Sequence, residues 1–326
     1  MTERISKNIY VIKVPLPGNP LKNLNSYYIR GDRRNLLVDT GFNCDVCYEA
    51  LRGGLDELGA DMGNTDIFLT HLHSDHSGLC ARVSSESSKI FVSETDEKYL
   101  ESFSKDDYWD RLHKNASVLG FSEAELEENK RTNPIRAYAP PRETIYTPVV
   151  DGFQIDLGGI SLQAVATPGH TPGHMCLYDV EHKTFLSGDH ILFDITPNIT
   201  TWQGVDDSLG LYIESLKKIR KFDVETTLAA HRSATGSLSQ RIDELIEHHK
   251  SRLDEAFRIV KSSPGLSAYE AASKMKWSIR AKDWSEFPIT QKWFAVGEAS
   301  AHLEHLLGKG IIKKELIDGV YVYHIV

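Results

Sequence analysis

The chain has 326 residues with 37 Lys and Arg against 46 Asp and Glu, and its net charge of −9 disfavours broad attraction to nucleic acid or to an anionic membrane surface. Its length suits one large unit plus a small one, or two of medium size, and 40% hydrophobic residues is an ordinary globular composition. No stretch approaches about 18 uninterrupted apolar residues, and MTERISKNIYVIKVPLP has no apolar core followed by a small-residue cleavage site, so a soluble cytoplasmic protein is expected.

Short β-branched or aromatic runs bounded by turns begin with NIYVIKV, NSYYIR and NLLVDTG, and each reads as a strand. A helical pattern covers 45–59, and at its start Cys44 and Cys47 form a C-x-x-C. That motif could be a redox pair or half of a zinc site, but no second C-x-x-C exists and ordinary packing is favoured. With Cys80 and Cys176 the thiols are too few and scattered for a disulfide scaffold. Further strands are expected at DIFLTH and KIFVSE, and then residues 95–148 break the rhythm with acidic, aromatic, helix-forming sequence. We read this interval as a helical insertion, a lid or substrate wall, with a dimer contact or plain decoration equally open. Strands resume at FQIDL, ISLQAVAT, MCLYDV, TFLSGD and TTLAAH, and helices are expected at 206–220 and 238–262. After SSPG the pattern becomes helices followed by a hairpin turning near Asp318 and Gly319, an order that fits a winged-helix module. From residue 261 onward nine Lys and Arg face seven Asp and Glu, and the candidate recognition helix carries Glu298 and Glu304, so DNA reading is the weaker expectation.

Two segments carry chemistry. FLTHLHSDHSG (68–78) runs a strand end into His71, His73, Asp75 and His76. Residues i and i+2 share one side of an extended backbone, whereas Asp75 and His76 lie past a turn, so one segment can feed two adjacent metals. TPGHTPGH (167–174) is a stiff loop: two prolines remove donors, two glycines permit positive φ, and His170 and His174 ride on it. Asp189 and His231 also follow apolar runs. Crowded buried imidazoles need partners, which a metal supplies at once.

HLHSDH, TPGH, SGD, AAH and LLVDTG, in this order, resemble the metallo-β-lactamase superfamily over roughly residues 8–235. The resemblance implies an α+β fold, a four-layer αββα sandwich. It implies that His71, His73 and His170 bind one divalent metal, that Asp75, His76 and His231 bind a second, and that Asp189 bridges them, with Asp39 supporting the site from outside. Zinc is the first choice of metal, with iron and manganese as alternatives. The common zinc β-lactamases carry cysteine where Asp189 stands, and diiron flavoproteins carry glutamate where His73 stands, which leaves the binuclear hydrolases such as glyoxalase II, lactonases and tRNA-processing ribonucleases. The tail adds a resemblance to the β-lactamase-like-protein-2 group, whereas glutathione-holding residues of the glyoxalase II type cannot be mapped onto it.

In that reading a metal-bridging hydroxide is the nucleophile, the centre keeps one net positive charge to favour an anionic transition state, and Asp75 is the catalytic residue that shuttles the proton. The expected function is hydrolysis of an ester, thioester or lactone, a small-molecule acyl substrate. A metal-dependent ribonuclease or phosphodiesterase is the alternative, and a β-lactamase or a non-catalytic metal-binding protein ranks lower. Asn198 and Trp202 on the segment 193–204, and Tyr108 and Trp109 from the insertion, are candidates for the substrate wall, with loop packing as the competing explanation. His174 is expected to hydrogen-bond behind the metal ligands, and His190 to be an ordinary packed or surface histidine. The expected division is a catalytic domain over 1–262 and a winged-helix-like domain over 263–326. Nucleic acid is disfavoured as a partner, a membrane is not expected, and a homo-oligomer is left open.

Overall fold

The computed structural model describes residues 2–103, 105, 107–233, 237–278 and 281–326. Seven strands form the first sheet in chain order: β1 (Thr2–Arg4), β2 (Ile9–Pro15), β3 (Asn23–Ile29), β4 (Asn35–Val38), β5 (Thr65–Phe68), β6 (Ile90–Ser93) and β7 (Thr147–Val149). Pairing is antiparallel from β1 to β4 and parallel from β4 to β7. The second sheet contains β8 (Gln154–Asp156), β9 (Ser161–Ala166), β10 (Met175–Asp179), β11 (Thr184–Gly188) and β12 (Thr226–Ala229), antiparallel except for the final β11/β12 pair. The third has the order β13 (Leu266–Ser267), β15 (Val320–Ile325), β14 (Ile312–Ile317).

The helices are α1 (Asp45–Glu57), α2 (Ser74–Ser77), α3 (Cys80–Val83), α4 (Glu94–Phe103), α5 (Tyr108–Ser117), α6 (Glu123–Thr132), α7 (Pro134–Tyr138), α8 (Ser208–Ile219), α9 (Leu238–Ser262), α10 (Ala268–Lys274) and α11 (Ile289–Gly308). None among the described residues is long and apolar enough to cross a membrane.

The two-residue period of the strands sorts the apolar side chains into layers. Ile9 and Val11 of β2, with Tyr27 and Ile29 of β3, face Ile155, Leu162, Met175 and Leu177 across the space between the first two sheets. The alternate residues Ile12, Val14 and Leu24 point the other way, onto Cys47, Leu51 and Leu55 of α1. Outside the second sheet, Cys176, Tyr178 and Phe185 pack on Leu209, Tyr212 and Leu216 of α8 and Ile242 and Leu245 of α9. The result is the expected α+β sandwich, helix, sheet, sheet, helix.

The interval expected as an insertion is tied in at both ends, because α4 begins directly after β6 and β7 closes the first sheet. Its middle packs away from that sheet, with Ala116, Phe121 and Leu126 meeting Ala256 and Val260 of α9 and Ala271, Val296 and Leu303 beyond it. The terminal hairpin turns where expected. Asp318 and Gly319 take φ of 49° and 82°, the two positive values that match a tight turn to the twist of β14 and β15.

Candidate metal centre

Every residue singled out for metal binding lies where a strand stops. β5 ends at Phe68 and the chain bends through Thr70, His71 and Leu72 before α2 begins just past His73, so the two histidines lie on this bend while Asp75 and His76 sit on a helical turn. His170 lies in the loop joining β9 to β10, Asp189 directly follows β11, and His231 follows β12. Gly188 holds the Asp189 turn at φ +50°, and a Cβ there would stand 2.7 Å from the His174 Nε2 and 2.8 Å from the Thr70 Cβ.

The structure brings these side chains together in two adjoining groups. His71 Nε2 and His170 Nε2 approach His73 Nδ1 at 2.9 and 3.1 Å. His76 Nε2 and His231 Nε2 are 3.2 Å apart, with Asp75 Oδ2 3.5 Å from the latter. Asp189 lies between the groups, its Oδ1 3.4 Å from His231 Nε2 and 3.6 Å from His76 Nε2, and its Oδ2 3.7 Å from His170 Nε2. Within each of the sets His71, His73, His170 and Asp75, His76, His231, one ligand atom per residue falls within 4.8 Å of the others.

The far side of each ring decides what its inner nitrogen can do. His170 Nδ1 donates to the Asn198 carbonyl at 2.8 Å, and His231 Nδ1 donates to the Asn23 carbonyl at 2.9 Å. His76 Nδ1 donates to Asp39 Oδ2 at 2.8 Å. Asp39 itself is fixed by Thr70, whose backbone N–H donates to Oδ1 and whose hydroxyl donates to Oδ2, both at 2.8 Å. Its own backbone is left-handed, φ 60°, a conformation that costs a non-glycine residue about 1 kcal/mol or more. Because the Thr70 hydroxyl proton goes to Asp39, that oxygen accepts from His71 Nδ1 at 3.1 Å. A neutral imidazole carries one proton, so His71, His170 and His231 aim bare lone pairs inward, and His76 does so once the second proton that its carboxylate neighbours favour is displaced.

Bare nitrogens at hydrogen-bonding distance repel unless something positive lies between them. Buried Asp189 Oδ1 has no hydrogen-bond partner among the described residues. Burial and the neighbouring rings hold His71 and His73 well below the usual imidazole range. Burial also pushes His76 down, but the carboxylates of Asp39, Asp189 and Asp75 outweigh it and hold the ring well above that range. The cluster therefore attracts cationic charge, and its nitrogen and carboxylate donors suit divalent metal ions.

Other candidates fall into place around this core. His174 is fully buried, donates from Nδ1 to the Thr167 hydroxyl at 2.8 Å and accepts the Asp189 N–H at Nε2 at 3.2 Å, so it braces the turn that carries Asp189. His190 is buried against Tyr212 and His174, and burial pushes its pKa down to about 3. Trp202 stands beside the site, its indole N–H donating to the His170 carbonyl at 3.2 Å and its ring centroid 6.1 Å from that of His73. The Asn198 side chain, expected on the substrate wall, instead donates to the Phe294 carbonyl and to Glu298 of α11, because the backbone carbonyl is the part of this residue that meets the site. Tyr108 and Trp109 meet edge to face, and Tyr108 meets Phe103 in the same way. The aromatic ring from this region that touches Trp202 is that of Tyr99, at 5.5 Å between centroids. Cys44 and Cys47 bring their sulfurs within 3.4 Å, but Cys47 is buried and burial pushes its thiol up to about 12, which favours packing over redox chemistry.

One residue was not anticipated. Fully buried Asp96, the third residue of α4, accepts the Leu72 N–H at 3.0 Å and the Thr171 hydroxyl at 2.8 Å on one oxygen, and the Gly173 N–H at 2.7 Å on the other. It therefore ties the His71–His73 segment to the His170 loop. Burial pushes its carboxyl up to about 6 against the pull of those hydrogen bonds.

The model of the metallo-β-lactamase superfamily matches residues 20–231. A β-lactamase-like protein 2 homolog of Caenorhabditis elegans is 25% identical over 284 residues, which cover 85% of this chain and 81% of that protein. The lactamase-like protein adaB of Aspergillus niger is 24% identical over 76% of this chain, but the match spans only 63% of that longer protein. In three dimensions a metallo-β-lactamase family protein of Thermus thermophilus superposes with a TM-score of 0.83 and 25% identity, covering 99% of this chain and 100% of its own. That likeness includes the elements after α9. On its fold and on the matched 20–231 span, the chain belongs to the metallo-β-lactamase superfamily.

Proposed function

We propose that this protein is a hydrolase that holds two divalent metal ions, zinc first among them, and cleaves a carboxylic ester, thioester or lactone. The observation that supports it most directly is the set of inward lone pairs with the orphaned Asp189 oxygen between them. His71, His73 and His170 would hold one ion, Asp75, His76 and His231 the other, and Asp189, which lies between the two groups, would be shared by them. Bound there, such ions supply Lewis acidity and lower the pKa of water from about 15.7 to about 7.

The chain's own groups do the rest. His73 and Asp75 are half-buried while His71, His76, His170, Asp189 and His231 are buried, so substrate approaches from the side of the first two. Asp75 turns Oδ2 toward His231, which leaves Oδ1 as the atom that takes up and returns a proton. Trp202 and Tyr99 form an aromatic wall next to His73 that positions an apolar acyl group and excludes water. Residues 263–326 are read as a winged-helix-type module that serves as an interaction or substrate-wall module beside a catalytic domain over 1–262. Three of its lysines are engaged by carboxylates, Lys292 by Glu125, Lys313 by Glu315 and Lys314 by Glu304, which favours a small acyl substrate over RNA. Four free cysteines fit a reducing, cytoplasmic setting.

The test is a hydrolysis panel of acyl-thioesters, lactones, nitrocefin, phosphodiesters and RNA on protein whose metal content has been measured. Acyl hydrolysis that disappears in Asp75→Ala supports the proposal. RNA cleavage without acyl activity overturns it.

A further inference from the structure

Resting on the two-ion reading, we propose that Glu298 of α11 is a positioning residue for the His71, His73, His170 set, acting on His170 through Asn198. His170 presents Nε2 to His73 because its Nδ1 proton is taken by the Asn198 carbonyl at 2.8 Å. The direction of a carbonyl follows its peptide plane, and at this position the side chain pins the plane. Asn198 Nδ2 donates to the Phe294 carbonyl at 3.2 Å and to Glu298 Oε2 at 3.4 Å. Glu298 is pinned in turn, since its Oε1 accepts from Arg252 Nε of α9 at 3.0 Å.

Arg252 has no freedom to swing. Its Nη1 donates to Glu255 Oε2 at 2.6 Å and to the Lys276 carbonyl at 3.0 Å, and its guanidinium lies 4.3 Å from the centroid of Trp277. The pair is nearly dry, with side-chain exposures of 9% for Arg252 and 13% for Glu298. The segment is also pressed onto the helix, because a Cβ on Gly297 would stand 3.0 Å from the Thr200 Cβ. Residues 294, 297 and 298 form one face of α11, and that face holds the backbone that orients His170. A carboxylate is the side chain this position requires. It has to accept from Asn198 and from Arg252 at once, and a glutamine would turn an amide N–H toward one of two donors.

The experiment measures zinc affinity on the full chain by competition with a chromophoric chelator, together with the visible absorption of the cobalt-substituted protein, which reports the ligand set. Outer partners of ligating histidines are worth about 10- to 100-fold in metal affinity, and a residue one bond further out should carry about 3- to 10-fold. E298Q and N198D, the latter facing one carboxylate with another, should each weaken one of two bound zinc ions by that factor and alter the cobalt spectrum. The double variant N198D/E298Q restores a donor opposite an acceptor and should lose less than the product of the single losses. Asn198→Ser serves in place of N198D if that variant does not fold. Lys314→Gln breaks the contact with Glu304 elsewhere in the same module and should leave both ions unchanged. Wild-type affinities in E298Q and N198D, additive losses in the double variant, or an equal loss in Lys314→Gln would each overturn the proposal. Wild-type protein that binds fewer than two ions overturns the two-ion reading instead.

Discussion

Two pairs of buried imidazoles in this protein stand at the same separation. His76 Nε2 and His231 Nε2 are 3.2 Å apart at the candidate metal centre, and His249 Nδ1 and His302 Nε2 are 3.2 Å apart where α9 meets α11. All four rings are fully buried. In the second pair His302 Nδ1 donates to the Glu298 carbonyl at 2.7 Å, so its Nε2 is an acceptor and the facing His249 nitrogen carries a proton. That contact is a neutral hydrogen bond, and burial pushes His302 down to about 3. In the first pair the outer proton of each ring is drawn to Asn23 or Asp39, so the space between the inner nitrogens, near three carboxylates, favours a cation, whether the second proton of His76 or a metal ion. Distance alone does not mark a metal-holding pair. The acceptor behind each ring does.

The comparison breaks most decisively at Asp189. Replacing it with alanine removes the carboxylate between both groups, and bound metal measured by elemental analysis should fall below two per chain, with a loss of acyl hydrolysis exceeding the roughly 100-fold upper range of outer partners. Retention of two ions in this variant would mean that the inward nitrogens are sufficient without the carboxylate. Next is Asp39→Asn, which keeps the shape behind His76 but removes its charge. Zinc affinity should weaken by about 10- to 100-fold at one site, as read by chelator competition.

At the other pair, His249→Phe removes one hydrogen bond and one buried nitrogen that has no partner among the described residues. Metal stoichiometry should be unchanged, and unfolding free energy from denaturant titration should shift by no more than about 1 to 2 kcal/mol. The smallest effect is expected at Glu125 of α6, which bonds Tyr269 and Lys292 far along the chain. Burial pushes its carboxyl up, but hydrogen bonds from Tyr269, Lys292 and Ser122 outweigh it and hold it down at about 2 against an ordinary 4.5. A carboxylate depressed on folding stabilises fully above its unfolded pKa and loses that contribution as pH falls through the folded one. Glu125→Gln should therefore flatten the stability curve between about pH 4.5 and pH 2 and leave neutral-pH metal content unchanged, because the contact is partly exposed and its contribution modest.

The centre was legible because its residues end apolar strands and two of them repeat at i, i+2, a local pattern that needs no knowledge of packing. Asp39, at the end of NLLVDTG, is reached through the family resemblance and not from a local pattern of its own. Asp96 is reached by neither. It lies in ETDEKY, where flanking charges read as a solvated helix, and its burial is decided by Leu72, Thr171 and Gly173 from two other loops. Glu298 misled for a related reason: counted as surface charge against DNA, it turns inward to Arg252 and Asn198. Composition reports how many charges a helix carries, but the side they face depends on partners dozens of residues away. Tyr108 and Trp109 drew attention as large rings, while Tyr99, one helix earlier, is the one beside Trp202.

The bond that Asp96 makes between two loops also has a meaning in time. His73 waits 97 residues for His170, and His76 waits 155 residues for His231. A chain growing from its N-terminus thus carries three of its five inward histidines long before it has anything to complete them. Asp96 emerges early, but Thr171 and Gly173, the groups it clamps, arrive only with the loop that delivers His170. The same carboxylate that braces the finished centre therefore registers, during synthesis, the arrival of the segment that completes the first set. A nascent chain stopped between residues 174 and 230 contains that set and lacks the second.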